Sequence, residues 1–181
     1  MKCFKKIGAF ILAFTILTCI IPTQFVWAAT NENYTTLEEN IISVVTEYQE
    51  DGSYTVTTLS VIIPSNSESE QLELFRDSSS ITGSKLATHY DSSNKKLYAL
   101  KSTGTFFYNG STVSCNGRSY QSYIYDTAWT VENITTSASG SGTTKASATA
   151  SGTAKKHLLG ITIQTASISA TVYCDKNGNL S

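Results

Sequence analysis

Apolar and polar positions alternate with a period of two through most of the chain beyond residue 40, the repeat of a strand with one buried face. The run Ile41-Ile42-Ser43-Val44-Val45-Thr46-Glu47-Tyr48 is dense in β-branched residues, and residues 54–63 repeat that density before Pro64. Asp51-Gly52 lies between the two runs, so together they predict a hairpin. Residues 65–84 hold Ser65-Asn66-Ser67-Glu68-Ser69-Glu70 and Ser78-Ser79-Ser80, with only Leu72, Leu74, Phe75 and Ile81 to pack. They predict a long connection with room for one helical turn at 69–75.

In the second half, turn residues recur about every ten positions, a spacing that suits a sandwich or barrel. Residues 85–90 lead through Asp91-Ser92-Ser93-Asn94 into residues 96–101, and Phe106-Phe107-Tyr108 meets Asn109-Gly110 before residues 111–115. Residues 120–125 and 127–131 continue the pattern. Ala146, Ala148 and Ala150 alternate with Ser147, Thr149 and Ser151. Small residues on one face and hydroxyls on the other predict a closely packed strand, with residues 137–144 as a loop before it. Ile161 and Ile163 share one phase, while Ile168, Ala170, Val172 and Cys174 share the other. The change of phase predicts a bulge between Gln164 and Ser167. Helical periodicity is absent from this region. The expected fold is all-β, an antiparallel β-sandwich (Ig-like or related), forming a single domain over 41–181 after a flexible lead-in at 29–40.

The first residues follow a different rule. Lys2, Lys5 and Lys6 precede an uncharged stretch, residues 7–21, and then come Pro22, Gln24 and Val26-Trp27-Ala28. Basic, apolar and small-residue regions in that order predict a signal helix and peptide over 1–28, cut after Ala28. An uncleaved anchor is the alternative, disfavoured because Thr15, Thr18 and Pro22 interrupt the run. Lipidation at Cys19 is disfavoured because Thr18 stands where a lipobox has a smaller residue. No second apolar stretch of spanning length follows, so secretion without a stable membrane span is expected.

The whole chain carries a net charge of −1, and its signal segment removes three lysines and no acid. The remainder is acidic, which gives no basic patch for nucleic acid. Of four cysteines, Cys115 and Cys174 stay after cleavage. In an oxidising compartment they predict one disulfide, worth about 4 kcal/mol by loop closure. Val113 shares the parity of Cys115, and Val172 that of Cys174, so both sulfurs fall on apolar faces. Two separate thiols are the alternative; a zinc site lacks the paired short spacing it needs.

Candidate chemistry is sparse. His89 and His157 are the two histidines, and Asp91 lies two residues from His89 on the same side of a strand end. No Gly-x-Ser-x-Gly elbow accompanies them, so exposed turn positions are expected and no catalytic residue is assigned. The acids cluster at Glu38-Glu39, residues 47–51 and residues 68–73, as solvated surfaces do. Asp175-Lys176-Asn177-Gly178-Asn179 departs from a calcium loop, since its glycine is early and no bidentate Glu follows. No metal and no cofactor are expected. Sequons at Asn33, Asn109 and Asn133 matter only in a eukaryotic secretory route. Tyr123 and Tyr125 share one strand face and are the ligand-facing aromatics, whereas Tyr120 belongs to the other face and Trp129 suits a core.

The cadence of Gly104-Thr105-Phe106-Phe107-Tyr108-Asn109-Gly110-Ser111, Cys115, residues 126–131 with Trp129, residues 145–149 and Cys174-Asp175-Lys176-Asn177-Gly178-Asn179-Leu180-Ser181 resembles that of small uncharacterised secreted proteins of Clostridia-like Gram-positive bacteria. The resemblance covers the C-terminal half and implies export and a compact β fold, without an activity. The functional expectation is a non-catalytic extracellular or surface-associated binding module, with a cell-wall glycan or a protein as partner. The alternative is a secreted membrane-active toxin or antimicrobial protein, since the Ser/Thr alternation of 143–174 also resembles pore-forming hairpins.

Overall fold

The computed structural model describes residues 37–64 and 79–181. The expected signal segment, the lead-in before Leu37 and residues 65–78 lie outside them. Eight strands follow in order: β1 (Leu37–Tyr48), β2 (Tyr54–Pro64), β3 (Ser79–Tyr90), β4 (Lys96–Tyr108), β5 (Val113–Ile124), β6 (Trp129–Ser139), β7 (Lys145–Leu158) and β8 (Ile161–Asp175). They form two antiparallel sheets, β1-β2-β3-β4-β5 and β6-β7-β8. Within each sheet every strand therefore pairs with its neighbour in sequence. This meander corrects the Ig-like expectation, because an immunoglobulin fold needs Greek-key crossings between sheets, whereas this chain changes sheet at one corner, residues 125–128. There the Asp126 carbonyl accepts the Trp129 N–H at 2.9 Å and its carboxylate accepts the Ala128 N–H at 3.0 Å. Lys95 pairs with the same carboxylate at 2.8 Å.

The sheets face each other through small residues on one side and large ones on the other. Ala146, Ala148, Ala150 and Ala154 of β7 are all buried, and Tyr98, Leu100 and Phe106 of β4 oppose them. A Cβ on Gly104 would lie 2.7 Å from both the Ala148 methyl and the Phe106 ring, so the backbone of β4 comes as close to β7 as glycine allows. Ser102 crosses the gap, its hydroxyl donating to the Ala148 carbonyl at 3.1 Å. The chain end also enters the core. Tyr173 and Ser181 exchange backbone hydrogen bonds, which sets Leu180 against Gly83 and Val172. Trp129 is buried against Tyr98, ring centroids 4.8 Å apart, as its expected core role requires.

Several boundaries differ from those expected. Strand β1 begins at Leu37, inside the expected lead-in, and β3 begins at Ser79, so 79–84 of the expected 65–84 connection is strand. Backbone pairing with β4 carries this segment, and Ile81 adds its side chain to the core. Strand β6 extends to Ser139, leaving the loop at 140–144. The phase change in β8 falls at Ile163, because Lys156 opposes Gln164 while His157 opposes Thr162. The expected disulfide is not formed. Cys115 and Cys174 share one core cluster as free thiols. Each sulfur is turned to a carbonyl of its own segment, Cys115 to Gly117 and Cys174 to Asp175, both at 3.4 Å.

The five-stranded sheet is wider than its partner. Strand β8 packs against β3 and β4, so β1 extends past the sandwich with Ile41, Ile42, Val44 and Val45 all exposed. The narrow gap at Gly104 gives a direct test: Gly104→Ala should lower unfolding free energy by about 1–3 kcal/mol through overpacking. Urea denaturation measures it, and an unchanged midpoint would mean that the sheets separate freely there.

Candidate functional site

Turn chemistry at one end of the molecule sets a row of tyrosines on the outer face of the five-stranded sheet. Between β1 and β2, the Asp51 carboxylate accepts the Ser53 N–H at 2.9 Å and the Ser53 hydroxyl at 2.6 Å, while Gly52 takes the positive φ of 80° that closes the loop. This loop places Tyr48 opposite Tyr54. Tyr54 in turn opposes Tyr90 of β3. The Tyr48 and Tyr54 ring centroids are 5.4 Å apart and tilted; those of Tyr54 and Tyr90 are 4.7 Å apart and within 5° of parallel. The spacing is that of neighbouring strands, so the pleat itself stacks the rings.

The row continues across the sheet. Tyr90 opposes Lys96 of β4, and the Lys96 ammonium sits 5.5 Å from the centroid of Tyr125. Tyr125 stacks on Tyr123 at 6.4 Å and 11°. The expected Tyr123–Tyr125 pair is therefore present, and it forms one end of a longer band. Tyr120 lies on the other face of β5, opposite Ser102. The Asp91 carboxylate anchors the β3–β4 turn by accepting from the Ser93 N–H, the Ser93 hydroxyl and the Lys95 N–H at 2.7–2.9 Å. Asn94 adopts φ 66° there and accepts the Tyr54 hydroxyl at 3.1 Å. Desolvation, reinforced by Tyr90 and Tyr48, raises the Tyr54 pKa.

Tyr54 and Tyr90 turn their faces to each other, which leaves their ring edges as the surface of the band, with the Tyr54 hydroxyl held by Asn94. Tyr48 is 77% exposed and offers an open face. Such a band supplies apolar contact and hydrogen bonds together. Tyr48, Tyr54 and Tyr90 are not among the candidates that the sequence pattern marks. Their signal was positional: each stands at a strand end beside a turn.

His89 is not an exposed turn residue. It lies on the inner face, half-buried, with Nδ1 3.2 Å from the Thr55 hydroxyl and its ring 5.1 Å from that of Tyr98. Thr55, Tyr98, Gln49, Asp51, Gln164 and Ile168 line a cleft of about 90 Å³ around it. That volume is well short of a small-molecule site. Burial lowers the His89 pKa, with Asp51 and then Asp91 pulling weakly the other way. Asp91 is committed to its turn and does not orient the imidazole. Burial also pushes the Tyr98 phenol up to about 12 and the Cys174 thiol up to about 11. Asp175 accepts from the Asn177 and Asn179 N–H groups and from the Asn179 amide, which makes residues 175–179 a closed turn. Among the described residues no three His, Cys, Asp or Glu side chains gather as a metal site.

The depressed histidine sets a pH dependence whose sign follows from linkage. The unfolded chain takes up the His89 proton near the ordinary value of 6.5, before the folded protein does. Stability from the neutral ring is therefore complete above that value and is lost as the pH falls from it toward the folded pKa. His89→Gln should shrink the loss of urea midpoint between about pH 7.5 and about pH 5; an identical loss in both proteins would contradict the burial argument. Comparison with protein-family models, with curated proteins and with solved structures gave no match for this chain.

Proposed function

We propose that the chain is exported and works as a non-catalytic binding module at or outside the cell surface, holding a cell-wall glycan along its tyrosine band. The register-aligned row of Tyr48, Tyr54 and Tyr90, continued by Lys96, Tyr125 and Tyr123, carries this reading. A glycan brings hydroxyls and apolar C–H faces; the open face of Tyr48 suits the C–H groups and the phenols of the band suit the hydroxyls. The N-terminal order of lysines, apolar stretch and Val26-Trp27-Ala28 supports export, as does the resemblance to small secreted Gram-positive proteins. The size of the His89 cleft and the turn-bound Asp91 favour binding over hydrolysis. The buried alanines of β7 favour a stable sandwich over a hairpin that unfolds into a membrane.

Export would also bring Cys115 and Cys174 into an oxidising compartment. Their shared core cluster supports closure of the bridge there.

Two measurements test this reading. In pull-down with purified cell-wall glycan, Tyr54→Ala and Tyr125→Ala should each weaken retention about three- to tenfold, on the scale of one aromatic contact; retention equal to the parent in both would remove the band as the binding surface. Mass spectrometry of material recovered from the medium should find Ala29 as the first residue and the two remaining cysteines joined. An intact N-terminus would refute cleavage, and two alkylatable thiols would refute the bridge.

A further inference from the structure

The hairpin joining β7 to β8 ends in an apolar point, and its conformation sets it apart from every other turn in the described residues. Leu159 and Gly160 both have positive φ, 49° and 80°, the geometry of a two-residue turn that favours Asn-Gly. A leucine pays a steric cost in that region, because its Cβ crowds the backbone. Elsewhere among the described residues the chain meets the same demand with glycine or with Asn94 and Asn133. Leu159 is moreover 95% exposed, so no core contact repays the cost. Backbone strain held where packing does not require it points to function.

The neighbours repeat the theme. Leu158, Ile161 and Ile163 are 59%, 68% and 53% exposed. The polar groups beside them are satisfied within the molecule: the Thr162 hydroxyl lies 3.3 Å from His157 Nδ1, and His157 Nε2 lies 3.2 Å from the Thr130 hydroxyl. Four branched aliphatic side chains are thus left for something outside. No acidic residue occurs between Glu132 and Asp175, and Lys155 and Lys156 stand just behind the tip. Lys155 pairs with Glu132 at 2.8 Å, and Lys156 lies 6.0 Å from the Trp129 ring centroid and also feels Asp126. The charge at the base is positive and modest.

We propose that this tip, Leu158 to Ile163, docks on an anionic lipid surface, with its aliphatic side chains among the acyl-chain ends and Lys156 at the headgroups. A convex point of leucine and isoleucine suits a medium that deforms around it. Protein hot spots, in contrast, rely on Trp, Tyr and Arg seated in pockets, and the tip has none of these. Shallow insertion of such a group, aided by nearby lysines, is the usual mode of interfacial attachment. The proposal is independent of what the tyrosine band binds.

A reporter at the tip itself separates this contact from any made by the apolar N-terminus. In the full chain carrying Leu159→Trp, the emission difference from the parent should move to shorter wavelength on adding phosphatidylcholine–phosphatidylglycerol vesicles. Lipids brominated near the headgroup should quench it. Adding Ile161→Asp to the same chain should cut that response about tenfold or more, as expected for removing one buried aliphatic side chain. No shift with vesicles, or a shift that survives Ile161→Asp, would overturn the proposal. Leu159→Asn should raise the thermal midpoint by about 3 °C through relief of the left-handed leucine; an unchanged or lower midpoint would refute the claim that leucine is kept there against stability.

Discussion

Gly104, Ala148 and Phe106 meet at the centre of the sandwich with no room for another methyl group between the β4 and β7 backbones. The rest of the architecture follows from that contact. A sheet can approach this closely only if its partner is faced with small side chains, which is why β7 presents Ala146, Ala148, Ala150 and Ala154 and leaves the bulk to Phe106, Leu100 and Tyr98. Close approach also places Ser102 within reach of the Ala148 carbonyl, so a polar side chain can sit in the core without losing its hydrogen bond. Leu180 fills the matching gap over Gly83, which ties the last residues of the chain into the same packing.

The unequal width of the two sheets has its own consequences. Three strands cannot cover five, so β1 keeps branched side chains exposed on both faces, and the surface on offer lies outside the sandwich and at its turns. At one end the Asp51 and Asp91 turns align tyrosines across three strands, and the cleft around His89 brings residues near the β1–β2 loop beside β8. Exposed tyrosine edges and an exposed aliphatic hairpin tip are chemically different surfaces. Each is held by backbone geometry, the first by strand register and the second by a two-residue turn.

Burial mutes the groups that might otherwise react. Removal from water disfavours the charged form of each: the His89 imidazolium and the thiolates of Cys115 and Cys174. A neutral imidazole bonded to Thr55 and two protonated thiols turned to carbonyls are packing elements first. This distribution, quiet inside and aromatic or aliphatic outside, accords with the binding role proposed above.

Local pattern was enough to determine much of this. The period-two spacing specified strands, the Asp-Gly and Asn-Gly pairs specified two hairpins, and alternating alanines on residues 146–150 specified a tightly packed inner face, because each signal lies within a few residues of its effect. Parity put Tyr123 with Tyr125 and both sulfurs on apolar faces for the same reason. Only the tertiary structure decided which strands became neighbours. The pairing of β2 with β3 joins Tyr54 to Tyr90 across a connection whose sequence carries no register information, so the tyrosine row was invisible beforehand. Likewise, period-two spacing says that a residue has a face without saying what covers it. His89 is half-buried because β8 lies above it, which nothing near it in sequence reveals, and β1 keeps its branched side chains exposed because the second sheet stops short, which nothing in β1 reveals.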